Sequence, residues 1–472
     1  MPLILPGNVA TATAATGYEV ANSCRFNDGD TATLEKALGT PTSQKKFTFS
    51  CWFKRGVLSG DQSLFSCGSS GDDEWNDFRL GSGGEIQWYI DRDESYYLTT
   101  DRLFRDVSAW YNFIIAVDTT QGTDTNRVKL YVNGVQEATA NLNVTGYPAQ
   151  DYDLTAMASG ENVSIGKRQK GGALNLDGYL AEACFIDGLA LSPTSFGEFD
   201  EDSPSIWKPI DVSELTFGNN GFYLDFEDSS NLGNDKNGGT DLTEANLAAA
   251  DQATDSPTNN FCVMNPLANF LAGATFSEGN CQVVTAASNS TFVEGTFGVT
   301  TGKWYWEGKN TAGSSVYNDI GITGAPSTSA GSDYLGYTAN AYGYQAINGN
   351  YRHNSGASPT GTSYGDTFAV NDIIGVALNL DDNELTFYKN GTAQASGTAI
   401  DINAASTTTQ GVWMPAVGDG YNQAVGWAMN FGGCSAFAVS SGNADGNGYG
   451  NFEYAVPSGF FALCTKNLAE YG

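Results

Sequence analysis

The chain of 472 residues carries 53 acidic and 22 basic residues, which gives a formal net charge of −31 at pH 7. Polyanions are bound by lysine and arginine side chains that replace counterions, so this charge argues against nucleic acid and anionic membranes as partners and favours solubility. No stretch approaches the roughly 20 apolar residues of a membrane span, and we predict no membrane insertion.

The composition indicates an all-β protein. Charged residues make up 16% of the chain, below the ~25% typical of soluble domains. Short apolar runs are interrupted by turn residues roughly every 8–12 positions, as in sandwiches and barrels. Eight single cysteines lie without a C-x-x-C motif, and we interpret them as small buried hydrophobes in a chain that folds in a reducing cytoplasm. The segment Met1 to Gly7 lacks the features of a signal peptide.

Residues 1–22 are predicted to form an extended N-terminal arm, because Pro2, Pro6 and Gly7 oppose regular structure. We expect neighbouring subunits or the body of the protein to hold it. Residues 23–227 then form a first β-sandwich, with a helical turn at Ser192-Pro193. Period-2 patterns predict its main strands, which are Phe47–Lys54, Ser63–Cys67, Phe78–Leu80, Ile86–Ile90, Tyr96–Thr99, Tyr111–Asp118, Arg127–Val132, Asn162–Gly166, Gly178–Asp187 and, as the last, Phe222–Phe226.

Residues 228–260 are rich in Asn and Asp and are predicted to be a polar linker with one helical turn at Leu242–Ala250. Residues 261–472 form a second sandwich. Its clearest hairpin is Ile373–Gly391, where alternating runs flank turn residues and end in Asn-Gly; Phe113–Gly134 repeats this pattern. The other predicted strands are Cys281–Thr285, Lys303–Lys309, Asp319–Thr323, Tyr334–Thr338, Tyr342–Ile347, Trp413–Val417 and Gly426–Phe431.

Ordered motifs in the second domain resemble SPRY domains. They are Gly302–Glu307, Tyr364–Phe368, Asp372–Leu380 with Leu385–Gly391, Met414–Val417 with Asn430–Gly432, and Val456–Phe460. The resemblance implies a bent sandwich of two antiparallel sheets that binds protein or other ligands through its loops, without catalysis.

The first domain is similar to concanavalin A-like, laminin-G-type jelly rolls. The residues that carry this likeness are Arg25–Gly29, Phe49–Arg55, Val128–Gly134, Leu176–Glu182 and Phe185–Gly188. The pairing of the two domains through a junction at Asp251–Phe261 resembles structural proteins of tailed bacteriophages, notably aquatic ones.

This resemblance implies a non-enzymatic virion structural protein, made in the host cytoplasm and displayed on the virion surface. We expect a tail-fibre or surface-fibre component that attaches to a host glycan or protein. Its partners would be copies of itself, with a trimer favoured, and other virion proteins bound through the arm. The alternatives are a capsid or tail decoration protein that binds no receptor, and a polysaccharide depolymerase, which the missing catalytic constellation disfavours.

No catalytic constellation is evident in the sequence. The single histidine, His353, lies in a polar turn predicted at Asn350–Gly356, without a G-x-S-x-G elbow. Glycosidases need two carboxyl groups on a strand, and the nearest run, Glu198–Asp202, lacks the alternation of a strand. We therefore predict no catalytic residues and no cofactor.

Two kinds of binding site have candidate residues. Calcium could be held by Asp28 with Asp30, by Asp72–Glu74, or by Asp235 with Asn237 and Asp241, although the last set lacks the full EF-hand spacing. Sugars could stack on aromatic loop residues, but an aromatic residue in a β protein more often belongs to the core. The aromatic candidates are Trp75, Tyr96, Tyr97, Tyr342, Tyr344 and Tyr351.

Overall fold

The computed structural model describes residues 17–68, 75–90, 98–169, 174–269, 273–287, 291–313, 318–328, 334–356, 360–420 and 423–472. These residues form a nearly all-β fold with one short α-helix, α1 (Thr465–Tyr471). No helix in these ranges is long and apolar enough to cross a membrane. The chain divides into two compact units between Thr258 and Asn259. The predicted class, two antiparallel sandwiches in tandem, is confirmed.

The first unit contains two large sheets and one small one. The strand order is β10-β9-β8-β3-β13-β1-β18 in one large sheet, with β16 added to β13, and β11-β7-β6-β5-β4-β12-β2-β17 in the other, while β14 pairs with β15. Its strands are β1 (Ser23–Phe26), β2 (Thr33–Ala37), β3 (Lys46–Arg55), β4 (Gln62–Gly68), β5 (Trp75–Leu80), β6 (Glu85–Ile90), β7 (Leu98–Leu103), β8 (Trp110–Asp118), β9 (Val128–Val132), β10 (Val135–Gln136), β11 (Leu142–Val144), β12 (Asn162–Ile165), β13 (Gly178–Asp187), β14 (Gly197–Phe199), β15 (Trp207–Pro209), β16 (Phe222–Leu224), β17 (Thr243–Ala245) and β18 (Gln252–Ala253).

Aromatic side chains from both large sheets fill the core of the first unit. The predicted alternation along β3 is confirmed, because Phe47, Phe49, Cys51 and Phe53 all point into this core. The ring of Phe49 stacks on that of Phe65 with centroids 4.4 Å apart. Burial of these rings is the main favourable contribution to the stability of the sandwich.

The predicted linker is part of the first unit. Within residues 228–258, β17 pairs with β2 and β18 pairs with β1. The Lys54 ammonium is 2.6 Å from a carboxylate oxygen of Asp255, and both side chains are buried. In place of the helical turn predicted at Leu242–Ala250, the chain forms β17 and a 3-10 turn at Ala249–Asp251. Strand pairing with distant partners outweighs the polar composition that indicated a linker.

The described part of the predicted arm, residues 17–22, lies against the first unit. The backbone N–H of Val20 donates to Thr258 Oγ1 at 3.1 Å, and that hydroxyl donates back to the carbonyl of Val20 at 3.1 Å. Asn22 donates to the carbonyl of Ala253 at 3.3 Å. Residues 1–16 lie outside the described residues.

The second unit also contains two facing sheets. One has the order β19-β20-β32-β22-β27-β28-β29, with β30 and β33 added to β28 and β22, and the other has the order β21-β31-β23-β24-β25-β26. The strands are β19 (Thr275–Ser277), β20 (Gln282–Val284), β21 (Thr291–Glu294), β22 (Lys303–Ala312), β23 (Asn318–Thr323), β24 (Ala341–Gln345), β25 (Asn350–His353), β26 (Thr362–Ser363), β27 (Ile373–Asn379), β28 (Glu384–Lys389), β29 (Thr392–Ala393), β30 (Ile400–Asp401), β31 (Met414–Asp419), β32 (Gly426–Asn430) and β33 (Phe461–Ala462).

One predicted strand of the second unit is wrong, and one helix was not predicted. The segment Tyr334–Thr338 is not a strand, because the N–H of Tyr337 donates back to the carbonyl of Tyr334 in a turn and Gly336 adopts a φ of +89°. Helix α1 was not predicted from the sequence. The remaining short helical turns of both units are 3-10 segments. They lie at Asp124–Asn126, Thr139–Asn141, Thr155–Met157 and Pro193–Ser195 in the first unit and at Pro266–Ala268, Gln394–Gly397 and Ala405–Thr407 in the second.

The Asn-Gly pairs that end β9 and β28 form the same kind of turn in the two units. Asn133 and Gly134 have φ values of +47° and +76°, and Asn390 and Gly391 have +47° and +77°. Positive φ at both central positions defines the type I′ hairpin turn, which asparagine followed by glycine favours. Each asparagine also accepts a hydrogen bond through its side-chain oxygen from a neighbouring strand, at 2.8 Å from the N–H of Asn112 and at 2.9 Å from that of Ile373.

Candidate functional site

A polar and aromatic surface lies on the outer side of the second large sheet of the first unit. Along β5, Phe78 and Leu80 point into the core. Successive side chains of a strand alternate between its faces, so the residues between them point outward. On β6, Ile86, Trp88 and Ile90 point inward in the same way. We call the outward residues the aromatic face, which comprises Ser63, Trp75, Asp77, Arg79, Gln87 and Tyr89.

Two stacked rings form the aromatic part of the face, and a guanidinium group contacts each of them. The rings of Trp75 and Tyr89 are 5.7 Å apart and nearly parallel, with an interplanar angle of 24°. The guanidinium carbon of Arg79 lies 3.9 Å from the Tyr89 ring, and that of Arg168 lies 5.5 Å from the Trp75 ring. These cation–π contacts hold the flat faces of the side chains in one orientation.

A hydrogen-bond network fixes the polar side chains of the face. Arg79 Nε donates to Gln87 Oε1 at 2.7 Å, and its terminal nitrogens lie 3.5 Å from carboxylate oxygens of Asp77 and Asp61. The Ser63 hydroxyl donates to Asp77 at 2.5 Å. Burial raises the pKa of Asp77 to about 6, and the Ser63 bond and the Arg79 charge offset only part of that rise.

The side chains of the face are fixed by these contacts and are almost completely buried. The exposed fractions of Trp75, Arg79 and Tyr89 are 7%, 7% and 8%. Residues 69–74 and 91–97, which precede β5 and follow β6, lie outside the described residues. A fixed aromatic ring beside fixed donors and acceptors is the combination that recognises a small polar ligand.

Most other aromatic candidates from the sequence belong to the core. Tyr342 and Tyr344 are buried in the second unit, as core packing predicts. Tyr351 is half-buried and packs edge-on against Tyr364, with centroids 6.1 Å apart. Tyr96 and Tyr97 lie outside the described residues. Of the described candidates, Trp75 is the one that lies in the aromatic face.

His353 ends strand β25 and does not lie in the predicted polar turn. Its ring stacks on Tyr342 at 3.9 Å with an interplanar angle of 5°, and Nδ1 is 3.2 Å from the carbonyl oxygen of Ala341. Burial lowers the pKa of His353. These contacts indicate that His353 has a packing role.

The acidic run Glu198–Asp202 begins on a strand, contrary to the sequence prediction. Glu198 lies on β14, which pairs with β15. The ammonium of Lys208 lies 3.3 Å from Glu198 and 3.4 Å from Asp200. Alternation failed as a signal here because the strand has only three residues.

The calcium candidates mostly organise turns. Asp235 accepts hydrogen bonds from the backbone N–H groups of Tyr223 and Asn237, and it lies 3.8 Å from the Lys36 ammonium. Asp241 accepts from the N–H of Asp235 at 3.0 Å. Asp30 accepts from the side chain of Asn27 at 3.1 Å, while Asp72–Glu74 lie outside the described residues. In the described ranges, no three His, Cys, Asp or Glu side chains are grouped so as to hold a metal ion.

The prediction that the cysteines are small buried side chains is confirmed. All eight cysteines are buried and carry thiols. Burial raises the pKa of Cys464 to about 12 and raises that of Cys51 further. Such thiols are poor nucleophiles, because the thiolate is the reactive form.

Comparison with known families agrees with the two predicted domains. Residues 26–195 match the concanavalin A-like lectin/glucanases superfamily in its laminin G form, and residues 303–433 match the SPRY domain. The first match includes the whole aromatic face. A comparison with proteins of curated function found no significant match.

Three similar solved structures each cover less than 40% of this chain. A heptameric SAP-like pentraxin from Limulus polyphemus is 16% identical, with a TM-score of 0.29 over 37% of this chain and 80% of its own. The SPRY domain of human HERC1 is 18% identical, with a TM-score of 0.28 over 37% of this chain and 99% of its own. The CBM40 domain of a Ruminococcus gnavus IT-sialidase, bound to α2,3 sialyllactose, is 17% identical, with a TM-score of 0.25 over 38% of this chain and 92% of its own.

Proposed function

We propose that this chain, which joins a concanavalin A-like domain to a SPRY domain, is a non-enzymatic attachment protein that binds a surface glycan through the aromatic face. The observation that carries this proposal is the parallel pair of Trp75 and Tyr89 beside the fixed side chains of Arg79 and Gln87. The flat apolar side of a sugar ring packs on an indole, while its hydroxyl groups exchange hydrogen bonds with the guanidinium and amide groups.

The order of the face favours binding by reducing its entropic cost. Arg79 contacts Asp61, Asp77, Gln87 and Tyr89, so its guanidinium is already oriented before a ligand arrives. Holding a long side chain in place beforehand removes about 0.5–1.5 kcal/mol of ordering cost on binding. Even so, we expect each site to bind weakly and attachment to depend on many copies.

The setting that we propose is the virion of a tailed bacteriophage, as a tail-fibre or surface-fibre component. Support comes from the pairing of these two domains and from the junction at Asp251–Phe261, which resemble such structural proteins. In this setting the chain forms a homo-oligomer, with a trimer favoured, and the N-terminal arm joins it to other virion proteins. Receptors would be host glycans or proteins.

The glycan hypothesis is tested by binding the purified full chain to a glycan array and to host cells. Trp75→Ala should weaken binding at least tenfold, or about 1.4 kcal/mol. Phe199→Ala is the matched control, since this aromatic side chain is 41% exposed in the same unit but lies outside the face. Equal binding by both variants would refute the role of the aromatic face.

The same preparations separate the alternative functions. A chain that binds no host cell and does not block adsorption would favour the decoration protein. Release of reducing ends from host polysaccharide would favour the depolymerase. Gold-labelled antibody against the chain would place it on the tail or over the head of the particle.

A further inference from the structure

A fully buried pair of polar side chains lies on the outer face of the six-stranded sheet in the second unit. Asp319 on β23 is directly opposite Gln345 on β24. Both have an exposed fraction of 0%. Asp319 Oδ1 and both side-chain amide atoms of Gln345 make no hydrogen bond in the structure described here. Buried polar atoms are almost always hydrogen-bonded, so three such atoms on one cross-strand pair call for a missing partner.

The other Asp319 oxygen is already used. Asp319 Oδ2 pairs with the guanidinium of Arg352, whose carbon lies 3.9 Å from the centre of the Tyr334 ring. The guanidinium fits only because residue 420 is a glycine, since a Cβ there would lie 2.4 Å from Arg352 Nη2. The ion pair and the ring therefore fix the carboxylate, and Oδ1 is left without a hydrogen bond on the strand next to Gln345.

The three atoms define the chemistry of the partner. Asp319 Oδ1 and Gln345 Oε1 are acceptors and Gln345 Nε2 is a donor. Two neighbouring hydroxyl groups supply the complement, because each can donate to one acceptor while one of them accepts from the amide. An anion is disfavoured by Asp319, by the nearby Asp419 and by the net charge of −31. A cation is disfavoured by Arg352.

We propose that Asp319 and Gln345 form a second binding site, for the vicinal hydroxyl groups of a neutral sugar. This site lies in the SPRY domain and is separate from the aromatic face, so either can fail without the other. A one-carbon partner such as methanol lacks the second hydroxyl and should bind far more weakly.

Access to the site requires a covering segment to move. Tyr334 and Leu335 lie over the sheet, with Leu335 packed on Gly343. A small apolar cluster of Phe292, Leu335, Ala341 and Ala416 holds the segment. The backbone N–H groups of Asn354, Ser355 and Gly356 also donate to carbonyls of residues 336–338, and the segment can open only if these bonds break. Sugar binding should therefore be slow and should protect the amides of residues 334–337 from hydrogen exchange.

The test uses the full chain with Trp75→Ala, which removes the first site. Methyl glycosides of glucose, galactose and mannose are the probes, with glucuronate as the anionic comparison. We expect saturation transfer to at least one neutral glycoside, and a melting temperature that rises with its concentration. Adding Gln345→Ala should abolish both effects, whereas adding Gln410→Ala, another glutamine of this unit, should leave them unchanged.

A second variant distinguishes loss of the binding site from misfolding of the chain. Gln345→Met keeps the side-chain volume but removes both amide atoms, and circular dichroism shows whether either variant folds. Loss of sugar binding in a folded Gln345→Met chain supports the site. No binding by the Trp75→Ala chain, or equal binding after Gln345→Ala or Gln345→Met, would overturn the proposal and leave an ordered water as the partner of these atoms.

Discussion

The phenol of Tyr18 donates a hydrogen bond to a carboxylate oxygen of Glu182 at 3.2 Å, 164 residues further along the chain. The hydroxyl of Tyr223 donates to the same oxygen at 2.8 Å. Glu182 lies where the register between β13 and β3 shifts, and its φ is +50°. Only 5% of its surface is exposed. A buried bulge residue with strained backbone is thus the anchor for the described end of the N-terminal arm.

Glu182→Gln should remove a pH dependence of stability. Burial raises the pKa of Glu182 to about 8, from 4.5, and the neighbouring Asp225 and Glu227 add to the rise. The folded state therefore holds a proton that the unfolded state releases, and the stability from this group is lost as the pH rises from about 4.5 to about 8. Urea unfolding at pH 5 and pH 9 should show a smaller drop for Glu182→Gln than for the natural chain, by a few kcal/mol.

The control for this substitution is Glu227→Gln. Its side chain is 50% exposed and pairs with Lys236, so its removal should leave most of the pH dependence in place. An unchanged pH dependence in the Glu182→Gln chain would show that the carboxyl is not the responsible group.

Asp255→Ala should strongly destabilise the first unit. The carboxylate accepts from Lys54 at 2.6 Å and from the indole N–H of Trp110 at 3.0 Å. Its removal leaves a buried ammonium without this partner, which costs about 3–5 kcal/mol. Urea unfolding measures the loss, and Asp228→Ala, at an exposed turn, is the control with a small expected effect. A loss below about 1 kcal/mol would contradict burial of the ion pair.

Gly134→Ala should destabilise the hairpin at the end of β9. A Cβ at residue 134 would lie 2.3 Å from the Trp207 ring, and the φ of +76° is unfavourable for alanine. We expect a loss of about 1–3 kcal/mol in thermal unfolding. Gly122→Ala is the matched control, because a Cβ there meets nothing within 4 Å. Equal stability of the two variants would mean that Trp207 does not pack on the turn.

Glycan binding by the aromatic face should weaken as the pH falls below about 6. The pKa of Asp77 is raised to about 6, so its carboxylate gains a proton below that value and loses its attraction to Arg79. Asp77→Asn imitates the protonated form and should bind weakly at every pH. Isothermal titration with an array-selected glycan at pH 5 and pH 7.5 distinguishes these cases, and a natural chain that binds equally at both values would exclude Asp77.

Local patterns in the sequence predict much of the fold but only part of the site. The predicted strands Phe78–Leu80 and Ile86–Ile90 contain Arg79, Gln87 and Tyr89, whereas Asp77 lies just before the first of them. Alternation along the full strands WNDFRL and EIQWYI places all four residues on one outer face. The face was not predicted, because Trp75 was interpreted as a loop residue. A signal was therefore available at Trp75, which begins β5.

Contacts between distant residues could not be predicted in this way. The Lys54–Asp255 pair spans 201 residues and Tyr18–Glu182 spans 164. Neither leaves a trace in local composition, which is why residues 228–258 resemble a linker. The prediction of short strands failed for a related reason, since the three residues of β14 are too few to show a period.

The two hairpin turns at Asn133-Gly134 and Asn390-Gly391 have a consequence for the chemical stability of the chain. Asparagine followed by glycine is the pair in which the glycine nitrogen most readily attacks the side-chain amide, with loss of ammonia. Here the Oδ1 atoms of Asn133 and Asn390 accept hydrogen bonds from the backbone N–H groups of Asn112 and Ile373. These bonds restrict the rotation of the side-chain amides that the attack requires. Peptide mapping after storage at alkaline pH should therefore find both asparagines intact in the folded chain and deamidated after unfolding in urea. The hydrogen bonds that fix these hairpin turns should therefore also slow the deamidation of Asn133 and Asn390 while the sheets are folded.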